Sequence, residues 1–385
     1  MVFYGSTESR TPSIKDSIIG KFDEIIEKLG ILNVVRNKVV MIKTDLGYSS
    51  FISTIHPYII GRIVKKIKDA DGKVFVSDTL ENYREAVYRG YTPEVIGCQI
   101  YPIAGIRDGY FYERYVDYKG LNILQLGGFC READILLAIS HIEGHNTAGF
   151  AGSIENIGLR CYTARTRYMI YKTMEWDKYF VREKCRDIKD MKNICPYNAI
   201  NIVDDELRID FRFCNQCMRC KIVDKNDCLN INRRNFESFF EAMAMAAKYV
   251  LEQYDEPNRF FINIALNMTE DCRYWGSITG NILPDLGILG STDILALDKA
   301  TLDLTRNLKL IEKNISKNFE VINDERLHPF ARIYGPWKDP YLQIYYGEKY
   351  LLGNRNYRIE EILPSGERVN KKLFKPRFPE PLTIY

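Results

Sequence analysis

The sequence lacks long apolar runs and an excess of charge of either sign. No stretch approaches the roughly 18 apolar residues that a membrane span needs, and 54 Lys and Arg residues stand against 51 Asp and Glu residues. A net charge of +3 without a concentrated basic block does not favour a nucleic-acid or membrane partner. The start, MVFYGSTESRTPS, also lacks the basic residues and the apolar stretch of a secretion signal. We therefore expect a cytoplasmic globular protein.

The first 179 residues alternate between helical and strand patterns. Apolar residues recur at every third or fourth position over 13–29, which predicts an amphipathic helix. A second helix opens at His56-Pro57. Short β-rich or apolar runs that predict strands cover 38–43, 73–77, 122–126 and 134–140. This order predicts an α/β domain with a Rossmann-like mixed sheet in residues 1–179.

The composition changes at residues 180–232, where cysteines and charges replace the alternation. We interpret this range as an inserted module, after which the α/β domain continues through residues 233–325. The predicted elements of the second part are helices at 235–254 and 294–304 and a strand at 260–266. Residues 326–385 are rich in Tyr, Pro and charge, and we expect a wrapping C-terminal segment with a strand at 342–346. There is no repeat array or low-complexity tract.

Of the ten cysteines, six lie within residues 185–228. Cys214, Cys217 and Cys220 follow one another with two residues between, so that they can reach three corners of one iron-sulfur cube. In bacterial two-cluster ferredoxins the remaining ligand is a Cys followed by Pro, as Cys195 is here. We predict one [4Fe-4S] cluster with these four ligands. The alternative is a zinc ion, because zinc also accepts four thiolates.

The insert resembles an internal duplication in which one half has decayed. A shift of 29 residues aligns Cys185 with the first Cys of the triplet, but Ile188 and Met191 occupy the other two ligand positions. The crossover position of the second half is Asp224, and Cys228 follows four residues later. We predict a bacterial-ferredoxin-like α+β module with one cluster lost, in which the sulfurs of Cys185 and Cys228 lie close together, within disulfide reach. The scattered cysteines are expected to be small buried side chains; they are Cys98, Cys130, Cys161 and Cys272.

A second polar group follows the predicted strand at 134–140. His141, Glu143 and His145 come directly after it, and α/β proteins bind ligands at the carboxyl ends of their strands. We predict a substrate pocket in which His145 donates or accepts a proton, with His141 and Glu143 as its polar partners and Lys43 as a nearby positive charge. The other predicted substrate-binding residues are Glu155, Asn156 and Asp293.

Three alternatives remain open for this group. The two histidines can hydrogen-bond to the structure of a glycine-rich turn without contacting a ligand. Asp293 can be a helix cap. A divalent metal can bind His141, Glu143, His145 and Glu155, since imidazole and carboxylate both suit such ions.

Several stretches taken together resemble the domain-of-unknown-function family 362. They are VVMIKTD at 39–45, HNTAGFAGSIENIG at 145–158, DLGILGSTDILALD at 285–298, YLQIYYGEKYLLG at 341–353 and the cysteine insert. The resemblance implies the fold and an iron-sulfur cluster, but no established reaction. The family pattern has lysines near the His and before the Asn, whereas this chain has His141 and Glu143 before His145, and Glu155 before Asn156.

These predictions favour an iron-sulfur oxidoreductase that acts on a small molecule near residues 141–156. A single cluster passes one electron at a time, so a redox partner such as a ferredoxin or another subunit is expected. The alternative is a non-enzymatic electron carrier or binding subunit of a larger complex. An enzyme requires a pocket at residues 141–156 near the cluster, whereas a carrier requires the cluster beside an exposed apolar surface.

Overall fold

A central sheet organises the computed structural model, which describes residues 1–47, 54–175, 179–211, 213–214, 217–270, 280–317 and 321–362. The strands are β1 (Val2–Ser6), β2 (Val39–Thr44), β3 (Lys73–Asp78), β4 (Ile100–Pro102), β5 (Phe111–Tyr118), β6 (Leu121–Gly127), β7 (Ile135–His141), β8 (Glu143–His145), β9 (Gly149–Ala151), β10 (Ile200–Val203), β11 (Glu206–Ile209), β12 (Arg259–Ala265), β13 (Gly287–Ser291) and β14 (Ile359–Glu361). The helices are α1 (Ile18–Leu29), α2 (Pro57–Asp69), α3 (Leu80–Glu85), α4 (Pro93–Ile96), α5 (Ser153–Arg160), α6 (Ala164–Lys172), α7 (Ile188–Ile194), α8 (Arg219–Ile222), α9 (Arg233–Leu251), α10 (Ile294–Thr305), α11 (Pro329–Tyr334) and α12 (Tyr341–Lys349).

The main sheet has eight strands in the order β14-β1-β13-β12-β7-β2-β3-β4. β12, β7, β2, β3 and β4 pair in parallel, β13 lies antiparallel between β12 and β1, and β14 is parallel to β1. All strands but β13 therefore run in one direction, and the predicted α/β class is confirmed. No helix in the described ranges is long and apolar enough to cross a membrane.

Alternate side chains of each strand serve two separate cores, because successive strand residues point to opposite faces of a sheet. Ile135, Leu137 and Ile139 of β7 pack with the apolar faces of α1 and α2. Leu136 and Ala138 pack with α5, α9 and α10 on the other face. The sheet thus carries helices on both faces.

Helix α5 lies between the sheet and α9, and all of its residues are buried. The close packing depends on Gly158, where a Cβ atom would lie 2.7 Å from the carbonyl oxygen of Met243 in α9. This approach fixes one face of α5 against α9.

Some sequence predictions differ from the structure. Ser13 caps a short 3-10 helix, and Ser17 caps α1, so the helix predicted over 13–29 is divided. The strand predicted at 122–126 forms β6, but it pairs with β5 in a separate two-stranded sheet rather than in the main sheet. Lys119 (φ 47°) and Gly120 (φ 83°) connect the two strands, and positive φ at both positions is typical of a tight hairpin turn.

The strand predicted at 342–346 is wrong, because these residues belong to α12. The side chain of Asp339 accepts a hydrogen bond from the Tyr341 N–H group at 2.9 Å, and α12 packs on α9 and α10. Tertiary packing here outweighs the strand preference of Ile and Tyr. The C-terminal segment also does more than wrap around the domain, because β14 extends the main sheet.

Residues 179–232 contain the antiparallel hairpin β10–β11 and the short helices α7 and α8. An antiparallel bridge between Phe180 and Leu229 joins the beginning and the end of this range. The two ends are therefore held side by side.

Candidate functional site

Four cysteines line one pocket between β10, β11 and α8. The pocket is formed by Cys195, Cys214, Cys217 and Cys220, with Tyr197, Ala199, Ile200, Ile209, Met218, Arg219 and Ile231. Cys217 is exposed, and the other three cysteines are half-buried. The structure therefore brings together the four cysteines that the spacing predicts as ligands.

The backbone around this pocket positions the sulfur atoms. Met218 has φ 59°, and this left-handed residue turns the chain between Cys217 and Cys220. The Ala199 N–H group donates a hydrogen bond to the Cys195 sulfur at 3.3 Å. Hydrogen bonds of this kind stabilise a thiolate that ligates a metal.

The donor set fits a positively charged group. Burial raises the pKa of Cys220 to about 12, and the neighbouring Cys214, Cys217 and Cys195 add to the increase. Bound iron or zinc ions would remove this penalty because they stabilise adjacent thiolates. Within the described ranges, no group of three or more His, Cys, Asp and Glu side chains is arranged to hold a metal ion as it stands, so the fit is one of donor chemistry.

Cys185 and Cys228 lie together beside this pocket. Cys185 contributes to the raised pKa of the Cys228 thiol, and both side chains are buried in one hydrophobic cluster, in agreement with the prediction that they lie close. Asp224, which stands at the crossover position in place of a cysteine, accepts hydrogen bonds from two backbone N–H groups at 2.9 and 2.8 Å. Ile188 and Met191 are buried in the same hydrophobic cluster as the two cysteines. Apolar side chains therefore occupy the positions of the missing ligands.

Another pair of cysteines is formed by residues that are far apart in sequence. Cys130 and Cys161 are completely buried, and Cys161 contributes to the raised pKa of Cys130. The predicted burial of Cys98, Cys130 and Cys161 is confirmed, but the last two are neighbours rather than scattered. Cys272 lies outside the described residues.

The second site lies at the carboxyl edge of the parallel strands. β2 and β7 are neighbours in the sheet. The chain continues from β2 through α2 to β3 on one side of this pair, and β7 is followed in the sheet by β12 on the other side. The connections therefore leave β2 and β7 in opposite directions. Open α/β sheets bind ligands at such a point. Lys43, Asp45, Asp78 and His141 lie at the ends of the strands here, and all are buried.

Lys43 is fully occupied by protein groups. Its Nζ atom donates to Asp78 Oδ1 at 2.8 Å, to Asn156 Oδ1 at 2.8 Å and to the Thr44 carbonyl at 3.0 Å. An ammonium group has three donors, so Lys43 orders the ends of β2, β3 and α5. The structure does not direct it at a substrate.

A chain of charged groups runs beside Lys43. Arg160 Nη1 lies 2.6 Å from Asp45 Oδ2, and Arg160 Nε lies 3.3 Å from Glu155 Oε1. Burial alone would raise the pKa of Asp45, but Arg160 and the Gly47 N–H group outweigh it and lower the pKa to about 2. Burial raises the pKa of Glu155. Asp45 is therefore the ionised partner of Arg160, whereas Glu155 holds a proton more readily.

His145 is held in one tautomer. Its Nδ1 atom accepts hydrogen bonds from the N–H groups of Thr147 and Ala148, both at 3.0 Å. The ring proton must therefore be on Nε2, which lies 3.6 Å from Glu155 Oε1. Among the residues that the structure describes, this buried Nε2 atom has no hydrogen-bond partner. This tautomer makes the Nε2–H group of His145 a hydrogen-bond donor.

His141 is already engaged. Its Nε2 atom lies 2.8 Å from the Leu266 carbonyl, and its Nδ1 atom lies 3.6 Å from Glu143 Oε2. Burial lowers the pKa of His141. A neutral ring that donates to a carbonyl matches the structural alternative for this residue.

Asp298 anchors the beginning of α5. Its carboxylate accepts hydrogen bonds from the N–H groups of Ser153 and Ile154 at 2.9 and 2.7 Å and from Asn263 Nδ2 at 2.8 Å. Burial nevertheless raises the pKa of Asp298 to about 6. Asp298 thereby fixes the helix that presents Glu155, Asn156 and Arg160. None of these hydrogen bonds of Asp298 involves His145.

The structure does not bring Asp293 to the site. This residue is the N-cap of α10 and accepts the Ala296 N–H group at 2.9 Å. It follows β13, whose antiparallel direction places its end opposite the carboxyl end of β7. The helix-cap alternative therefore describes Asp293.

A buried lysine from the C-terminal segment connects the two sites. Lys338 Nζ donates to the carbonyl of Asn146, the neighbour of His145, and to the carbonyl of Cys214 at 3.1 Å. The side chain is completely buried. One ammonium group thus joins the loop of His145 to the segment that carries a predicted cluster ligand.

Sequence reasoning missed Asp45, Asp78, Arg160 and Lys338. The two aspartates lie within two residues of the ends of predicted strands, and this common position could have identified them. Arg160 and Lys338 carried no comparable signal, because their partners lie on other elements.

A family model described as "Domain of unknown function (DUF362)" matches residues 40–303. The chain belongs to the DUF362 family. The match runs from β2 into α10, so it includes both sites of this DUF362 protein and confirms the family predicted from the sequence. The family description assigns no reaction.

No curated protein matches the chain. Among solved structures, the apoprotein of a lactate racemase from Thermoanaerobacterium thermosaccharolyticum is 16% identical, with a TM-score of 0.33, over 64% of this chain and 48% of that one. A structural-genomics target from Thermotoga maritima is 11% identical, with a TM-score of 0.26, over 44% of this chain and 49% of that one. The chain therefore spans about half the length of each.

Proposed function

We propose that this DUF362 protein binds one [4Fe-4S] cluster through Cys195, Cys214, Cys217 and Cys220, and that it is a redox enzyme acting on a small molecule beside His145. When bound, such a cluster supplies one electron at a time. The observation that carries the proposal is the buried Lys338 bridge, which connects the loop of the second site with the cysteine segment. A redox partner, such as a ferredoxin or another subunit, delivers or removes the electrons.

The arrangement of residues 180–232 supports a ferredoxin-like module. A hairpin, two short helices and a pocket lined by four cysteines occur within this short range. The three-Cys run with a distant Cys-Pro is the spacing that ferredoxins use. Hydrogen bonding to sulfur, as from Ala199 to Cys195, is one way in which a protein sets the reduction potential of such a group.

In the second site, His145 would bind the substrate through an oxygen atom. Its Nε2–H group lies in a buried position without a hydrogen-bond acceptor among the described residues, and a carbonyl or anionic oxygen would provide one. Glu155 lies next to this group and has a raised pKa. Glu155 is therefore the residue that would transfer a proton, while His145 holds the oxygen in place.

Metal analysis tests the cluster. Protein purified without oxygen should contain four irons and four sulfides per chain, the composition of one cube, and should give a paramagnetic signal after reduction with dithionite. Replacement of Cys217 by Ser should weaken or remove this signal. Stoichiometric zinc, or the iron content of two cubes, would refute the proposal.

Two substitutions at one position test the role of His145. His145→Phe should slow the reoxidation of the reduced protein by small carbonyl compounds at least tenfold. His145→Gln, which retains an N–H donor, should retain part of the rate. Both variants should keep the iron content and the paramagnetic signal of the wild type. Equal rates for the three proteins would show that His145 does not bind the oxidant.

A second candidate function is supported by the surface near the cysteines. Cys217 is exposed, and Phe213 and Ile222 nearby in sequence are 38% and 78% exposed. Exposed apolar side chains of this kind suit transient docking of a protein electron carrier. If the protein is only a carrier, Ile222→Lys should slow electron transfer to a ferredoxin, and His145→Phe should have no effect on any electron transfer.

A further inference from the structure

The decayed half of the cysteine module has retained two cysteines and gained a carboxylate. Cys185 corresponds to the first ligand of the triplet, and Cys228 lies four residues beyond the crossover position, which Asp224 occupies. Both cysteines are free thiols in the structure. This half therefore holds a compact group of two sulfurs and one carboxylate, separate from the four-cysteine pocket.

Backbone pairing fixes the two thiols next to each other. The Val181 N–H group donates to the Cys228 carbonyl at 2.9 Å, and the Asn230 N–H group donates to the Tyr179 carbonyl at 2.7 Å. The three residues after Val181 form a 3-10 helix, Arg182–Lys184, which leads into Cys185. The Cys185 side chain thereby lies close enough to Cys228 to contribute to the raised pKa of its thiol. The proximity follows from paired backbone rather than from one flexible side chain.

Asp224 keeps Cys228 in its protonated form. The carboxylate accepts the Cys228 S–H group at 3.2 Å, the Leu229 N–H group at 2.8 Å and Lys221 Nζ at 3.0 Å. Burial raises the pKa of Cys228, and Cys185 and Asp224 contribute to the increase. Cys185 has the larger exposed fraction, 5% against 1% for Cys228. Cys185 is therefore the thiol that a reagent reaches first.

We propose that Cys185 and Cys228 form a reversible dithiol-disulfide couple, oxidised by low-molecular-weight disulfides. In the first step, the Cys185 thiolate attacks a sulfur of the small disulfide, and one small thiolate leaves and takes up the proton that Cys185 lost. In the second step, Cys228 loses its proton past Asp224 and attacks the Cys185 sulfur. The second small thiolate leaves, takes up this proton and is released as a thiol. One protein S–S bond forms, and the small disulfide is reduced to two thiols.

The bond would close a loop around the whole candidate cluster site. Residues 185–228 contain all four cysteines of the pocket. The covalent bond would therefore hold the module closed at the position where the second cluster is missing. This inference concerns only the two thiols and Asp224, and it does not depend on which metal the pocket binds.

The chain provides a matched control pair. Cys130 and Cys161 are also neighbouring thiols, but both are completely buried in the α/β core. If proximity alone were sufficient, this pair would oxidise as well. We expect it to remain reduced, since no sulfur of the pair is exposed to a reagent.

The test uses the full chain, purified without oxygen and treated with oxidised glutathione. After denaturation, alkylation and digestion, mass spectrometry should find the peptides of Cys185 and Cys228 joined, and dithiothreitol should restore two alkylated cysteines. Cys185→Ser and Cys228→Ser should each abolish this species. Asp224→Asn should convert the mixed disulfide into the internal bond about tenfold faster, because a lower thiol pKa gives more thiolate.

Alkylation of both cysteines in the treated wild type would overturn the proposal. Glutathione that stays on Cys185, or a bond from Cys185 to a cysteine of the pocket, would overturn it too. The metal content is measured on the same samples. A zinc protein that still forms the bond would refute the proposed function and support this inference.

Discussion

Because Asp298 is buried, we expect the free energy of unfolding to depend on pH, by an amount that can be calculated from the structure. Its carboxylate is completely buried against the first turn of α5, and burial raises its pKa from 3.8 to about 6. Because the folded state binds this proton more tightly than the unfolded state, the contribution to stability is fully present below pH 3.8 and is lost as the pH rises through about 6. A pKa difference of about 2 corresponds to about 3 kcal/mol.

The perturbation is Asp298→Asn, which removes the titration and keeps one oxygen acceptor. The free energy of unfolding of both proteins is measured by denaturant titration at several pH values between about 4 and 7. At the acidic end Asp298 is protonated and has one carbonyl acceptor, as Asn has, so the two proteins should differ by no more than about 1 kcal/mol. Towards pH 7 the difference should shift in favour of the variant by about 3 kcal/mol.

The difference between the two proteins isolates Asp298 from other titrating groups. Glu155 also has a raised pKa, so its contribution to the stability of the protein also decreases as the pH rises. This contribution is the same in both proteins. Any effect of acid on the cysteine module is likewise common to both. A difference that stays constant within about 0.5 kcal/mol over this range would refute the reasoning; it would mean that the three donors and the helix N-terminus outweigh burial.

Three further substitutions test the connection between the sites and the charges within them. Lys338→Met should shift the reduction potential of a bound cluster to a more negative value, measured by redox titration, because a buried positive charge near Cys214 is removed. Arg160→Met should cost about 3–5 kcal/mol in urea unfolding, since it leaves Asp45 buried without its cation. Gly149→Ala should lower the melting temperature, because φ is 71° and a Cβ atom would lie 2.3 Å from the Lys338 carbonyl; an unchanged melting temperature would contradict this.

Local patterns predicted much of the sheet. The periodicity of 38–43 and 134–140 corresponds to β2 and β7, and the expectation that polar residues gather where these strands end follows from parallel topology. The patterns did not predict that β6 leaves the sheet or that 342–346 is helical. In both cases the deciding contacts come from other elements, the partner strand β5 for one and the helices α9 and α10 for the other.

The cysteine spacing was more informative than the polar pattern for a physical reason. Metal ligands in one short loop must be spaced to reach a common centre, so the spacing itself reports geometry. The second site is assembled from five separate elements, and its decisive bonds join Lys43 to Asn156 and Arg160 to Asp45 across more than 100 positions. A single sequence does not report such pairs.

The cost of the second site argues for a function. Removing ionised groups from water costs several kcal/mol each, and buried ion pairs often add less stability than apolar side chains of similar volume. Lys43, Asp45, Asp78 and Arg160 are nevertheless buried together at the point where the chain diverges. Arg160 also lies 3.3 Å from Glu155, which is next to the buried Nε2–H group of His145 that has no acceptor among the described residues. Stability alone does not explain this arrangement, whereas a bound oxygen atom would give that N–H group an acceptor beside Glu155.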